Sequence, residues 1–136
     1  MKSLREKRFR KGYTGNAQTA ETGKKVINIG RSQQKKGRDG ELELVRILNS
    51  LGFRVSPGRI LSFGSEPDII GLEGIHIEVK RVERLNVPEA MKQAIRDSER
   101  FNDGIPCLFH RRNREQWLVT MRMEDFLTMY RTGKGE

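Results

Sequence analysis

Residues 67–80 of the chain read PDIIGLEGIHIEVK. Two runs rich in β-branched residues lie in this stretch, separated by a Glu-Gly pair at 73–74, and such a pattern predicts a β-hairpin. In the second run apolar and polar residues alternate, which directs the apolar residues to the core. The polar residues of that run are expected to share the opposite face of the strand: His76, Glu78 and Lys80.

This hairpin predicts a cluster of acidic groups, because Asp68 begins its first strand and can lie beside Glu78 on the second. Residues two apart on a strand are separated by roughly 7 Å, so the side-chain ends of Glu78 and Lys80 can both reach one metal-bound water. Two carboxylates form an oxygen site that suits Mg²⁺, which takes its other ligands from water and substrate phosphate. Lys80 would then activate a water or stabilise the charge of the phosphate. An ordinary surface Glu–Lys pair on an exposed hairpin is the alternative.

An amphipathic helix is predicted over residues 38–51, with Gly52 as its stop signal. Its apolar stripe repeats at helical spacing and consists of Leu44, Ile47, Leu48 and Leu51. At 100° per residue, Glu41 lies about 60° from the centre of this stripe and Glu43 about 100°. We therefore expect Glu41 to point toward the sheet and Glu43 to point away from it.

The remaining pattern completes an α/β fold. Asn86 is a candidate N-cap for a second helix that begins near Val87-Pro88 and carries apolar residues on one face. A short strand is predicted at 53–55, followed by a turn-rich stretch and residues 60–63. Further strands are predicted at 106–110 and 116–120, and a last helix at 124–131. The element order is α-β-β-β-α-β-β-α, which predicts a central mixed β-sheet flanked by helices.

Two motifs together carry a resemblance to a known group of enzymes. Pro67-Asp68, followed ten residues later by Glu78-Val79-Lys80 and preceded by a Glu-bearing helix, resembles the PD-(D/E)XK nuclease superfamily. Residues 36–44 read KGRDGELEL, which is similar to the opening of archaeal-type Holliday junction resolvases; phage recombination endonucleases are related to these. The resemblance covers roughly residues 36–120 and implies a restriction-endonuclease-like core.

The resemblance also implies an activity and a set of site residues. It implies a Mg²⁺-dependent endonuclease, with Mn²⁺ as a substitute, that hydrolyses branched DNA in recombination and repair. The implied catalytic residues are Glu41, Asp68, Glu78 and Lys80, with Gln93 as an auxiliary residue. The implied metal ligands are Glu41, Asp68, Glu78 and the backbone carbonyl of Val79. Two alternatives remain open: a nuclease fold kept as a nucleic-acid-binding module without turnover, and a nuclease with another substrate, such as a nicking or restriction-like enzyme.

The resemblance to junction resolvases further implies a homodimer, because paired cuts in a junction require two symmetric sites. The apolar residues of the last strand and helix exceed what one small sheet needs to cover, and they are candidates for the interface: Trp117, Val119, Phe126, Leu127 and Met129. His76 is expected to be a surface or supporting residue rather than a catalytic base.

The net charge of +9 lies entirely at the N-terminus of this 136-residue chain. Residues 1–36 hold 11 Lys or Arg and two Glu, and only nine residues of the hydrophobic class. This composition predicts a flexible, disordered basic arm over 1–32 and a nuclease-like domain over 33–136. Lys and Arg release counterions from phosphates, so the arm is expected to bind DNA, although a solvated tail is the alternative. The expected DNA contacts are Arg5, Lys7, Arg8, Arg10, Lys11, Lys35, Lys36, Arg38 and Arg81.

The composition excludes several other classes of protein. One Cys excludes an internal disulfide, and one Cys with two His cannot form an ordinary structural zinc site. No phosphate-binding G-x-x-x-x-G-K-[ST] loop is present. No apolar run approaches the roughly 18 residues of a membrane span or forms a secretory signal, so a cytoplasmic protein without membrane association is expected.

Overall fold

The computed structural model describes the backbone of residues 15–58 and 66–135, and the side chains of residues 31–58 and 66–135. The chain divides into two units, Met1–Lys35 and Lys36–Glu136. In the first unit the described backbone is helical, and the features discussed below belong to the second unit. Residues 60–63 lie outside the described residues, and so do Arg5, Lys7, Arg8, Arg10 and Lys11. The division into arm and domain at residue 32 stays a prediction.

The predicted α/β element order is confirmed in the described part of the chain. The elements are α1 (Gly15–Ser50), β1 (Ser56–Pro57), β2 (Ile69–Ile70), β3 (Ile75–Arg81), α2 (Val87–Phe101), β4 (Ile105–Arg111), β5 (Leu118–Met121) and α3 (Met123–Gly133). Among these described helices, none has the length and hydrophobicity that a membrane crossing would require.

The five strands form one mixed sheet in sequential order, from β1 to β5. The predicted hairpin is confirmed, since β2 pairs antiparallel with β3 and Ile69 lies opposite Ile77. β3 and β4 are parallel and are joined by α2, whereas β4 and β5 are antiparallel. The two long central strands, β3 and β4, therefore form the rigid part of the sheet on which the site is built.

One face of the sheet is covered by the C-terminal part of α1. Its buried residues Leu44, Val45 and Leu48 join Ile77 and Val79 in the main core cluster. The fourth residue of the predicted stripe, Leu51, is 68% exposed because α1 ends one residue before it. The helix closes with backbone bonds from residues 52 and 53 back to Asn49 and Leu48, which is the Schellman arrangement.

The opposite face of β3 is covered by α2, which begins as predicted. Asn86 caps α2 by accepting a hydrogen bond from the Glu89 amide at 3.2 Å. The helix packs on β3 and β4 and buries Ala90, Ala94 and Ser98. Both faces of β3 are therefore covered, and the alternative of an exposed hairpin with a surface Glu–Lys pair is wrong.

The predicted strand at 53–55 is displaced to Ser56–Pro57. The cause is Asn49, whose side chain donates to the Val55 carbonyl at 3.1 Å and accepts from the Val55 amide at 2.9 Å. The Asn49 side chain therefore takes up the backbone amide and carbonyl of Val55, which would otherwise form hydrogen bonds with a neighbouring strand. Val55 is buried by packing on α1, and the ladder with β2 begins only after it.

Candidate active site

The hairpin brings Asp68 against the strand that carries Glu78. Asp68 Oδ2 accepts a hydrogen bond from the backbone amide of Val79 at 2.9 Å. This bond fixes the Asp68 carboxylate beside the middle of β3, one residue from Glu78. Glu78 itself is only 4% exposed, and its strand neighbour on β4 is the fully buried Leu108. Two carboxylates therefore share a largely desolvated position.

Lys80 pairs with one oxygen of the Glu78 carboxylate. Its Nζ lies 3.2 Å from Glu78 Oε1, and its side chain is 29% exposed. The alternation of β3 directs both side chains to the same face, as the sequence predicts. Lys80 thus reaches from the buried Glu78 carboxylate to solvent.

The carboxyl groups of Asp68 and Glu78 resist ionisation. Burial and the neighbouring Asp68 carboxylate raise the pKa of Glu78 to about 7, against the opposing effect of Lys80. Burial also raises the pKa of Asp68, while the Val79 hydrogen bond and Lys80 lower it. A cation placed between these groups would relieve this repulsion, which is the electrostatic condition for binding a divalent ion.

Glu41 extends this acidic cluster from α1. Burial and the Asp68 carboxylate raise the pKa of Glu41 to about 7, while Arg38 and Lys80 oppose the shift. Close packing of α1 on β3 allows this approach: a Cβ on the buried Gly40 would lie 2.9 Å from Cβ of Arg81. The group formed by Glu41, Asp68, Glu78 and Lys80 is called the acidic cleft below.

The expectation that Glu43 points away from the sheet is wrong. Its carboxylate accepts hydrogen bonds from Arg111 at 2.8 Å and from the Trp117 indole at 3.2 Å, and Arg81 lies 3.6 Å away. The angular position of Glu43 on α1 did not take into account the long arginine side chains of β3 and β4, which reach its carboxylate. These contacts lower the pKa of Glu43, chiefly through the Arg111 hydrogen bond. Glu43, Arg81, Arg111 and Trp117 are called the arginine cluster below.

A cavity of about 140 Å³ opens between β3 and α2 beside the acidic cleft. Gln93 lines it together with Asp68 and Glu78, at the position predicted for an auxiliary residue. Asp97 lines it as well and acts electrostatically to raise the pKa of both Asp68 and Glu78. The sequence analysis missed Asp97, although its spacing of four residues from Gln93 places both on one helix face.

His76 is buried in the same cavity wall, at 1% exposure. Its Nδ1 lies 2.8 and 3.0 Å from the two carboxylate oxygens of Asp103, and its Nε2 lies 3.9 Å from Glu78 Oε2. The sequence analysis placed His76 on the correct strand face. It missed Asp103, because the partner is 27 residues away and belongs to the turn between α2 and β4.

The donor chemistry of the acidic cleft fits a divalent cation that prefers oxygen ligands. Within the described residues, no three His, Cys, Asp or Glu side chains already form a group that could hold a metal ion. The clustered negative charges of these carboxylates would nevertheless attract such an ion. Val79 donates its amide to Asp68, and its carbonyl stays a predicted ligand.

The described members of the predicted DNA surface fall into two groups. Lys35 and Arg38 are exposed. Lys36 pairs with Glu83 at 3.4 Å, and Arg81 is engaged by Glu43 in the arginine cluster. The two exposed cations are therefore the ones in this group that are most available to a phosphate.

The chain matches no protein-family profile, and no curated protein matches it. Among solved structures it is similar to Hjc, a Holliday junction resolvase from the archaeal hyperthermophile Archaeoglobus fulgidus. The two chains are 22% identical, and the alignment covers 62% of this chain and 76% of that chain with a TM-score of 0.47.

Proposed function

We propose that this chain is a metal-dependent DNA endonuclease that hydrolyses phosphodiester bonds in branched DNA. The observation that carries the proposal is the acidic cleft, in which Asp68 and Glu78 are held together on one hairpin with Lys80 beside them. Burying carboxylates against one another lowers stability, and a surface that only binds phosphates gains nothing from them. A cation bound between the carboxylates would offset this loss of stability.

Each residue of the acidic cleft has a definite task under this proposal. Asp68, Glu78 and Glu41 would hold a Mg²⁺ ion, with Mn²⁺ as a substitute. Such an ion supplies Lewis-acid stabilisation of the charge that develops on the phosphate. Lys80, paired to Glu78 and partly exposed, neutralises the phosphate or orients the attacking water. Gln93 lines the adjoining cavity and offers an amide that can position water or a phosphate oxygen.

The test is cleavage of four DNA substrates side by side: a four-way junction, a flap, single-stranded DNA and linear duplex. We expect cleavage of the branched substrates with Mg²⁺ or Mn²⁺ and none in EDTA. Equal cutting of linear duplex would contradict the preference for branched DNA and indicate a nuclease of another substrate preference. Binding without cutting in any metal would favour the nucleic-acid-binding module and contradict the proposed activity.

A homodimer is part of the proposal, because paired cuts in a junction need two sites related by symmetry. The surface of β5 and α3 supports it: no residue of α3 is buried, and large apolar residues stand exposed there. They are Leu118, Val119, Met123, Phe126, Leu127, Met129 and Tyr130. Trp117 does not belong to this surface, since it packs against the core and donates to Glu43.

Sedimentation of the full chain tests the dimer. We expect a dimer at micromolar concentration, and a monomer for Leu127→Glu combined with Phe126→Ser on the exposed face of α3. Arg131→Ser, on the same helix, is the matched control and should stay dimeric. A wild-type chain that sediments only as a monomer would contradict the dimer and leave the nuclease proposal to the cleavage assay.

A further inference from the structure

The Asp103–His76 pair forms a buried polar chain that ends at Glu78. Asp103 keeps a quarter of its side chain exposed, whereas His76 is almost fully enclosed. Because a carboxylate only accepts hydrogen bonds, Nδ1 of His76 carries the hydrogen that the Asp103 oxygens receive at 2.8 and 3.0 Å. This bond fixes the ring orientation and directs Nε2 toward Glu78.

The backbone holds Asp103 rigidly in this position. Asn102, the C-cap of α2, has φ of 48°, and Gly104 has φ of 131°. A Cβ on Gly104 would lie 2.2 Å from the carbonyl of Gly74, and the next residue donates to that same carbonyl at 2.9 Å. The turn after α2 is therefore locked to the β2–β3 hairpin, which carries both His76 and the acidic cleft.

The other surroundings of the imidazole also limit its movement. The ring stacks on Phe101, with centroids 6.3 Å apart and planes inclined by 16°. Nε2 is buried and has no hydrogen-bond partner among the described residues. It lies 3.9 Å from Glu78 Oε2, about 1 Å beyond hydrogen-bond distance. Lys80 contacts the other oxygen of the same carboxylate, Oε1, at 3.2 Å.

We propose that His76, oriented by Asp103, is a positioning residue that fixes the Glu78 carboxylate for the divalent ion of the acidic cleft. Lys80 Nζ lies 3.2 Å from Oε1 and His76 Nε2 lies 3.9 Å from Oε2, so each oxygen of the Glu78 carboxylate faces a nitrogen atom. The inference rests on the proposed function, since it assigns His76 a role in that same site.

Two substitutions of His76 separate positioning from simple burial. His76→Gln places an amide N–H where Nε2 lies and can still reach Glu78, whereas His76→Asn places one where Nδ1 lies and reaches only Asp103. Calorimetric titration of the DNA-free full chain with Mn²⁺ measures metal affinity without any cleavage. We expect His76→Asn to bind Mn²⁺ about 10- to 100-fold more weakly than the wild type, and at least about tenfold more weakly than His76→Gln.

The same titration in a Glu78→Gln background tests whether His76 acts through Glu78. We expect His76→Asn to cause no further loss of Mn²⁺ affinity there, because the contact is already removed. Equal losses in both backgrounds, or equal affinities of His76→Asn, His76→Gln and the wild type, would overturn the inference and leave a buried structural pair. Failure of the wild-type chain to bind Mn²⁺ would overturn the proposed function and this inference with it.

Thermal unfolding of each variant accompanies the titrations, since removal of a buried ring can prevent folding. If His76→Asn does not fold, Asp103→Ala takes its place at a partly exposed position. It removes the acceptor that orients the ring and leaves the core residues unchanged. We expect about a tenfold loss of Mn²⁺ affinity for Asp103→Ala, and an unchanged affinity in this folded variant would overturn the inference.

Discussion

Glu41 and Glu43 lie two residues apart on α1 and carry the same carboxyl group in opposite surroundings. Glu41 faces the Asp68 carboxylate, and its pKa rises to about 7. Glu43 meets two arginines and the Trp117 indole, and its pKa falls. One carboxylate is held where its charge is unfavourable, and the other where its charge is fully compensated.

This difference separates residues that stabilise the fold from residues that are available for chemistry. The arginine cluster ties α1 to the ends of β3 and β4 and satisfies both oxygens of Glu43. The acidic cleft brings carboxylates together without an equal number of cations, with Lys80 and Arg38 opposing the repulsion only in part. Uncompensated charge in a cleft is the electrostatic mark of a site that binds a ligand of opposite sign.

The largest effect is expected from Asp68→Asn, Glu78→Ala or Lys80→Ala. Each should lower the rate of the proposed Mg²⁺-dependent cleavage by about a hundredfold or more, since a metal held there and its neighbours would supply several kcal/mol of charge stabilisation. Binding of DNA in EDTA should be unchanged or tighter for the two carboxylate variants, because a negative charge is removed. Single-turnover rates on folded proteins measure the effect. Cleavage that survives Glu78→Ala contradicts the assignment of the site.

The second test exchanges the two glutamates of α1. Glu41→Gln should lower the cleavage rate by about tenfold or more, as expected for loss of a metal ligand, without lowering the melting temperature. Glu43→Gln should keep its cleavage rate and lose about 1 kcal/mol of stability, because a partly exposed charged hydrogen bond is weakened. Single-turnover rates and urea unfolding of both variants provide the comparison. Equal losses of cleavage would show that the two clusters are not separate.

The third test uses pH. Glu41 and Glu78 ionise near pH 7 in the folded chain and near 4.5 when unfolded, so the folded state binds more protons between these values. Without metal, the free energy of unfolding should fall as pH rises from about 4.5 to 7 and then level off. Glu78→Gln should remove on the order of 2 kcal/mol of this fall. Mg²⁺ should restore stability at pH 8 in the wild type and much less in Glu78→Gln. A wild-type profile that rises through this range would contradict the raised pKa values.

The sequence was sufficient for the elements with strong local signals. The hairpin, the Asn86 cap and the shared strand face of Glu78 and Lys80 each follow from neighbouring residues, and all three are present in the structure. The features that were missed depend on contacts distant in sequence. Glu43 meets Arg111 across 68 residues, and His76 meets Asp103 across 27. Burial of Glu78 could not be predicted from its strand alone, because α2 provides the cover.

The fourth test concerns the approach of α1 to β3 at Gly40. Gly40→Ala gains helix propensity of about 1 kcal/mol but places a methyl group 2.9 Å from Cβ of Arg81. Gly40→Val adds two more carbons at the same contact and should lose about 1–3 kcal/mol through overpacking. We expect Gly40→Val to weaken Mn²⁺ binding as Glu41 moves from Asp68. Gly37→Val, on an open surface, is the control and should leave Mn²⁺ affinity unchanged. Unchanged Mn²⁺ affinity in Gly40→Val would show that Glu41 does not contribute to metal binding.

The smallest effect is expected from the basic N-terminus, which we propose contacts the DNA backbone. Replacing Arg5, Lys7, Arg8, Arg10 and Lys11 with Gln in the full chain removes five positive charges and leaves the acidic cleft intact. If these side chains contact phosphates, the slope of log affinity against log salt becomes shallower by about 0.9 for each lost duplex contact. The cleavage rate at saturating DNA should not change, because every proposed catalytic group lies beyond Gly40. Titration of one junction at several salt concentrations measures both slopes. Identical slopes would identify the N-terminus as a solvated tail.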